Sequence, residues 1–594
     1  MTFLTNGSAN GSANGVNGVN GTNSTNGTNG FHATNALTTT RPTYAYSKQP
    51  LWAPRSIRMV VIGCGVTGIA AVKLFKDRFL AQGKPVELVL YEKNTSVGGT
   101  WFENRYPGCS CDVPSHTYTY SWEGNPYWSR AYVGSDELFA YFEGRAKAYG
   151  VYDYVKLQHK VRSVVWNDEM AQYEVTVDDL VNGTTVTDKA EVVINATGFL
   201  NTWKWPDISG LQSFQGTLLH SAHYDRSASL DGKVVGVIGT GSSGIQIVPQ
   251  VQPVAKHLYC FYRSPAWISP ELAEELAPQG RDTIYTKEQQ DAWANDPDAF
   301  LKLRKRAAHI LNDGFDIIVK GSEVQKESTQ KSRELMETRL ARRPELIEKL
   351  TPKFALGCRR FTPGHGYLEA LCEDNTTVLT ENIKEVTATG ITLVDGTSVA
   401  LDVLICATGF NTSFCPPFTV IGENGAVLND AWKTEPTSYM GIAAAGFPNY
   451  FMTSGPNSPS AHGTLIGCLE TYLHYAFTAV DKLMTENVKK LAPLQAAVDD
   501  FQEHKDDIVK DLVWTSGCRS WYKNGAIEGK VWGPWPGSGP HFLEFMLRPR
   551  WEDWQITYRG ANRFQFLGNG KAARELEKDS DLAWLITQPG AKAV

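Results

Sequence analysis

The chain has 594 residues, 42% of them apolar and 20% charged, and a net charge of −6. That length supports several cores, while the mildly acidic balance excludes a nucleic-acid binder working by phosphate neutralisation. Ten cysteines show no paired spacing, and Cys109-x-Cys111 is too short for zinc, so they read as reduced thiols of a cytoplasmic protein with no metal site.

Residues 1–45 open with "NGSANGSANGVNGVNGTNSTNGTNG", which has too few apolar groups to offset chain entropy and reads as a disordered head. "IRMVVIGCGVTGIAAVKLF" then predicts a strand, the turn Gly63-x-Gly65-x-x-Gly68 and a helix. The first glycine permits the tight turn, the second admits a pyrophosphate, and the third lets helix pack on strand. The next strand, "VELVLYEK", ends at Glu92, whose carboxylate can accept ribose hydroxyls. An adenine dinucleotide with a free 2′-hydroxyl fits this site.

"KVVGVIGTGSSGIQIVPQV" repeats the pattern with Gly239, Thr240, Gly241, Ser242 and Gly244. Its following strand ends in Arg263–Ser264 instead of an acid, which suits a ribose 2′-phosphate and therefore NADPH. The strings "EVVINATGF" at 191–199 and "DVLICATGF" at 402–410 bracket this second turn and predict an insertion. Two dinucleotides, one carrying hydride, point to a flavoprotein reduced by NADPH, so the expected architecture is α/β, with two Rossmann-like dinucleotide domains, the NADP domain set inside the FAD domain. Its parts are 46–205 (FAD), 206–385 (NADP, with a helical insertion at about 270–352), 386–560 (FAD again) and a tail at 561–594. The uncharged run from Pro436 to Leu469 is broken by Pro, Asn, Ser and Gly, unlike a membrane span.

Four strings carry a resemblance. "FQGTLLHSAHYD" holds Phe214, Gly216, His220, Tyr224 and Asp225, and "GGTWFENRYPGCSCD" holds Gly99, Thr100, Trp101 and Asp112. "FALGCRRFTPGHGYLEAL" holds Arg359 and Arg360, and "GCRSWYKNG" holds Trp521. Together they resemble the Baeyer–Villiger monooxygenases, class B flavoproteins, over about residues 57–545. Tyr224 stands where that family usually has Trp, and Thr362-Pro363-Gly364 replaces an acidic-aromatic run, which leaves the pocket wall open.

The resemblance implies FAD, NADPH, O2 and a ketone converted to an ester or lactone. It implies that Arg360 stabilises the anionic oxygen and that Asp112 orients this arginine. Arg359 would join Arg263 on the 2′-phosphate, Trp101 would pack on the flavin, Tyr118 would sit near the pocket, and Trp521 would close over NADP. His220 and its string would couple domain motion, with a packing role at a seam equally open. Head and tail resemble fungal members, which points to a bulky hydrophobic or cyclic ketone. A flavin monooxygenase oxidising sulfur or nitrogen, and a non-catalytic flavin-binding protein, stay as alternatives. The oligomeric state stays open too.

Overall fold

The computed structural model describes residues 44–586, so nearly all of the expected disordered head lies outside the described residues. The chain divides after Ala45, and every described helix and strand lies in the compact unit that begins at Tyr46. No described helix is long and apolar enough to cross a membrane.

Two five-stranded parallel sheets organise the unit. The first has the spatial order Tyr450–Met452, Val192–Asn195, Ile57–Ile62, Val86–Tyr91, Val155–Lys156. Its central strand, IRMVVI, is apolar almost throughout because it is covered on both faces, as parallel sheets require. The second sheet has the order Thr376–Leu379, His257–Phe261, Val234–Ile238, Val403–Cys406, Thr217–His220.

All five strands of the second sheet fall between the last two strands of the first. The two Ala-Thr-Gly-Phe turns follow Val192–Asn195 in one sheet and Val403–Cys406 in the other. One boundary moves. Strand Val403–Cys406, which the division at residue 385 places with the later segment, pairs with Val234–Ile238 inside the second sheet. The antiparallel strands Ile383–Thr387, Gly390–Leu393 and Ser398–Ala400 precede it, so the second Ala-Thr-Gly-Phe string, rather than residue 385, marks the return.

The expected helical insertion contains the helices Lys287–Asn295, Pro297–Asn312, Glu323–Arg339 and Glu345–Leu350. It packs on the segment after Asp112. Arg304 donates to the carbonyl of Tyr120 (2.6 Å) and to Thr119 Oγ1 (3.2 Å). Tyr285, Trp293 and Phe300 box the ring of His116.

The cysteine reading needs correction. Cys358 and Cys518 form a disulfide across 160 residues of sequence, and the other eight cysteines are free. Nothing in local spacing could reveal a pair so far apart.

Candidate functional site

At the first turn Gly63 sits at φ +98°, and a Cβ there would lie 2.8 Å from the carbonyl of Ala196. A Cβ on Gly68 would lie 2.3 Å from the Gly63 oxygen. These two glycines serve the protein's own packing. Gly65 is different: its added Cβ would meet only Gly99 Cα, at an ordinary 3.5 Å. The helix Val66–Arg78 that it opens has no side-chain cap and no acid in its first turn. Its N-terminal N–H groups and positive dipole end thus stay available to an anion.

Glu92 is 4% exposed and accepts from Cys64 N (2.7 Å) and Asn94 N (2.9 Å). Each oxygen keeps lone-pair capacity for a ribose hydroxyl. Burial raises its carboxyl despite those two bonds. Thr100 starts the short helix Thr100–Glu103 immediately after Gly99. Trp101 is buried beside it with its indole N–H unpartnered, and its ring meets Tyr118 edge-on at 5.5 Å. A glycine cradle, an uncapped helix and an orphaned indole N–H fit FAD.

The second turn repeats the division of labour. Gly239, at φ +123°, and Gly244 are hemmed in at 2.2 Å by the oxygens of Ala407 and Gly239, whereas nothing lies within 4 Å of a Cβ on Gly241. The helix Ser242–Val251 is likewise uncapped by any side chain. Thr240 Oγ1 donates to the Ser264 carbonyl (3.0 Å), fixing the turn against the strand end that carries Arg263.

Arg359 donates to Ser264 Oγ (3.2 Å) and lies over Phe354 at 5.1 Å, with its Nε unpartnered. Burial and the charges of Arg263 and Arg519 lower its pKa. Among the described residues none of these three guanidiniums has a carboxylate partner. Three unpaired cations are costly to gather unless an anion joins them, and a 2′-phosphate has the needed charge. A groove of about 1050 Å³, lined by Trp267, Arg333 and Phe354 among others, includes none of these three arginines.

Arg360 forms a bidentate pair with Asp112, Nε to Oδ2 at 3.0 Å and Nη2 to Oδ1 at 2.7 Å. Asp112 is 15% and Arg360 41% exposed, so the carboxylate is screened while part of the guanidinium faces open space. Burial pushes the Asp112 carboxyl up, but Arg360's charge and hydrogen bonds, with Arg281 behind, outweigh it and the net shift is down. The charge of Asp112 raises Arg360 in turn. The outcome is a permanent, oriented positive charge.

His220 is 1% exposed and stacks on Trp203 at 4.6 Å. Its Nδ1 accepts from Ala222 N (3.1 Å), which leaves the proton on Nε2 to donate to Thr408 Oγ1 (3.3 Å). Burial, then His223, lowers it to about 4. It therefore joins the segment after the first Ala-Thr-Gly-Phe turn to the second such turn. Phe214 is buried nearby, and a Cβ on Gly216 would strike the Asp402 carbonyl at 2.4 Å. Tyr224 has an unpartnered hydroxyl, and Asp225 accepts from Ser227 N and Oγ in a local turn. Trp521 stacks on Phe199 at 5.0 Å, against the first of those turns.

The fold adds residues the sequence did not single out. Arg519 completes the guanidinium cluster. Tyr522, 1% exposed, lies within the electrostatic reach of Arg360 and Asp112, and burial pushes its phenol up to about 12. Gln246, on the helix of the second turn, accepts from Tyr106 OH (2.9 Å) and donates to the Ser110 carbonyl (3.0 Å). It thereby docks the Asp112 string on the second sheet's helix. Arg281, from the helical insertion, donates to Ser110 Oγ and keeps Nε and Nη2 unpartnered. Arg519 and Tyr522 adjoin Trp521, so the "GCRSWYKNG" string was the available signal; Gln246 and Arg281 had none.

Residues 56–291 match the family described as flavin-binding monooxygenase-like. The FAD-binding monooxygenase tazF of Aspergillus terreus is 39% identical over 542 residues, covering 90% of this chain and 96% of that protein. A Baeyer-Villiger monooxygenase of Streptomyces coelicolor is 33% identical over 515 residues, covering 84% and 92%. The crystal structure of cyclohexanone monooxygenase from Rhodococcus sp. Phi1 bound to NADP+ aligns with a TM-score of 0.71 at 26% identity, covering 85% of this chain and all of that one. With two dinucleotide turns on two parallel sheets and an arginine–aspartate pair beside them, the chain belongs to the flavin-binding monooxygenases, among the FAD- and NADPH-dependent Baeyer–Villiger enzymes.

Proposed function

We propose that the protein inserts one oxygen atom beside the carbonyl of a bulky hydrophobic or cyclic ketone, giving an ester or lactone. In this reading FAD sits at Gly63–Gly68 with Glu92 on its ribose, and NADPH at Gly239–Gly244 with Arg263 and Arg359 on its 2′-phosphate. FAD, when bound, supplies the redox centre that accepts hydride and activates dioxygen. The protein's own part is electrostatic and steric. Arg360 holds a fixed cation toward the reacting oxygen, Asp112 aims that cation, and Trp521 shields the site from water.

The observation that carries the reading is the bidentate Arg360–Asp112 pair. A ketone must be attacked by an anionic oxygen and then bear an alkoxide, and both states gain from a fixed positive charge. Oxidation of sulfur or nitrogen develops no such anion. The ring ketone named in the cyclohexanone monooxygenase neighbour and this chain's seventeen tryptophans support a bulky apolar substrate. The test is NADPH-dependent turnover of a panel of small and polycyclic ketones beside a sulfide, with direct product analysis. Ester or lactone formation is the expected result; sulfoxide alone would overturn the ketone reading.

A further inference from the structure

We propose that the Cys358–Cys518 disulfide is a positioning crosslink: it holds the arginine turn and the Trp521 loop in one register, so that NADPH recognition and oxygenation share a single rigid frame. Its first half rests on the proposed 2′-phosphate site and its second half on the ketone-oxygenation reading.

Cys358 immediately precedes Arg359 and Arg360, and Cys518 precedes Arg519, Trp521 and Tyr522. The bond, with Cα atoms 6.3 Å apart, thus ties together residues facing both candidate sites. Arg359 and Arg519 belong to the guanidinium cluster suited to the 2′-phosphate, whereas Arg360 pairs with Asp112 and Tyr522 lies within the electrostatic reach of both. The charges the bond brings together are alike. No ion pair links the 357–361 turn to the 513–522 loop among the described residues, so Arg359 and Arg519 push these segments apart.

What opposes that push is a small apolar cluster and the covalent bond. Val513, Trp514 and Tyr522 form the cluster with Ile318 and Val531, and Ala355 and Phe361 pack against it. The loop itself is stiff. Buried Lys523 donates to the carbonyls of Ser516 (3.1 Å) and Ile527 (2.5 Å), and Arg519 donates to that of Gly525 (2.8 Å). A shift at Cys518 is therefore transmitted to Trp521 and Tyr522 as a unit. Cys358 is 0% and Cys518 1% exposed, which shields the bond from reductants in solution and suits a permanent brace. Its formation removes two electrons and two protons from the thiols; hydrogen peroxide as oxidant leaves two waters. A dithiol reverses the step through a mixed disulfide.

The test uses the full-length FAD-loaded protein, prepared without reductant. Thiol titration after denaturation should find eight reactive cysteines; ten would overturn the proposal. Cys358→Ser and Cys518→Ser should keep FAD but lose about tenfold or more of their preference for NADPH over NADH, the scale of one charged hydrogen bond. They should also release more hydrogen peroxide per NADPH consumed. A brace with a purely structural role would lower thermal stability and leave cofactor preference intact, and that result overturns the proposal. Should the variants fail to fold, parent enzyme held in dithiothreitol until ten thiols titrate must show the same loss of preference, and unchanged preference at that thiol count overturns the proposal. Cofactor preference is read from NADPH and NADH oxidation, so it tests the crosslink even if no ketone is turned over. That last outcome would count against the proposed function alone.

Discussion

Arg360 and Asp112 lie 248 residues apart, yet two hydrogen bonds give the guanidinium a single orientation. Removing the cation in Arg360→Ala should leave FAD binding and its reduction by NADPH intact while ester formation falls by about 10²–10³-fold, the cost of losing one oxyanion donor. Rapid mixing of the reduced enzyme with oxygen, followed by product assay, measures this, and parental product rates would remove Arg360 from the mechanism. Asp112→Ala should show a milder form of the same defect, because the charge remains but loses its aim. Since the carboxyl of Asp112 is held below its ordinary value, the pair is present at neutral pH and is lost only as pH falls through that lowered value. Arg263 is exposed, and it bears on Arg359 through charge. Arg263→Ala should cost about 1.5–3 kcal/mol of NADPH preference. Steady-state kinetics with NADPH and NADH would expose an error here as unchanged discrimination.

At the scale of an element, each strand–turn–helix unit separates glycines needed by the fold from one left for a ligand. Gly241 has an ordinary φ of −86° and open space around it, so Gly241→Ala should leave melting temperature and flavin content unaltered and weaken NADPH binding. Gly239→Ala instead places a methyl 2.2 Å from the Ala407 oxygen at φ +123° and should destabilise the whole sheet. The same contrast applies to Gly65 and Gly63, with flavin occupancy as the readout. Retained occupancy in Gly65→Ala would mean that the pyrophosphate lies elsewhere. Both units were legible because strand, turn and helix are contiguous, and the glycine spacing is dictated by backbone contacts within them. The bracketing string at 402–410 marked the return, whereas the division at residue 385 fell short of strand Val403–Cys406, because an apolar strand carries no mark of the sheet it joins.

Across the molecule, buried histidines mark the seams. His220 joins the two Ala-Thr-Gly-Phe segments, and His116 is enclosed by the helical insertion. Burial lowers them to about 4 and about 3, with His223 and Arg304 adding to the effect. Between their ordinary pKa of about 6.5 and those values the unfolded chain binds more protons than the native one, so stability falls as pH drops through that window. His220→Gln should flatten this dependence in melting scans from pH 7 to pH 4; an unchanged slope would show that the ring is not buried as described. The disulfide acts on the same scale. It closes a loop of 160 residues, and by the chain-entropy relation its loss costs up to about 5 kcal/mol. Melting scans with and without a dithiol should therefore differ, and identical curves would mean that the bond does not constrain the unfolded chain.

The sequence alone determined the class of protein, the two dinucleotide turns and the candidates Arg360 and Asp112, since each lies in a short string whose chemistry is local. It could not determine what those strings meet. The approach of Arg519 to Arg359, the reach of Arg360's charge to Tyr522, the docking of Gln246 on the Asp112 segment and the pairing of Cys358 with Cys518 join positions more than a hundred residues apart. Periodicity and spacing report only on neighbours along the chain, whereas charge repulsion, burial and covalent closure depend on distance in space. Those contacts exist only once both sheets have formed and packed.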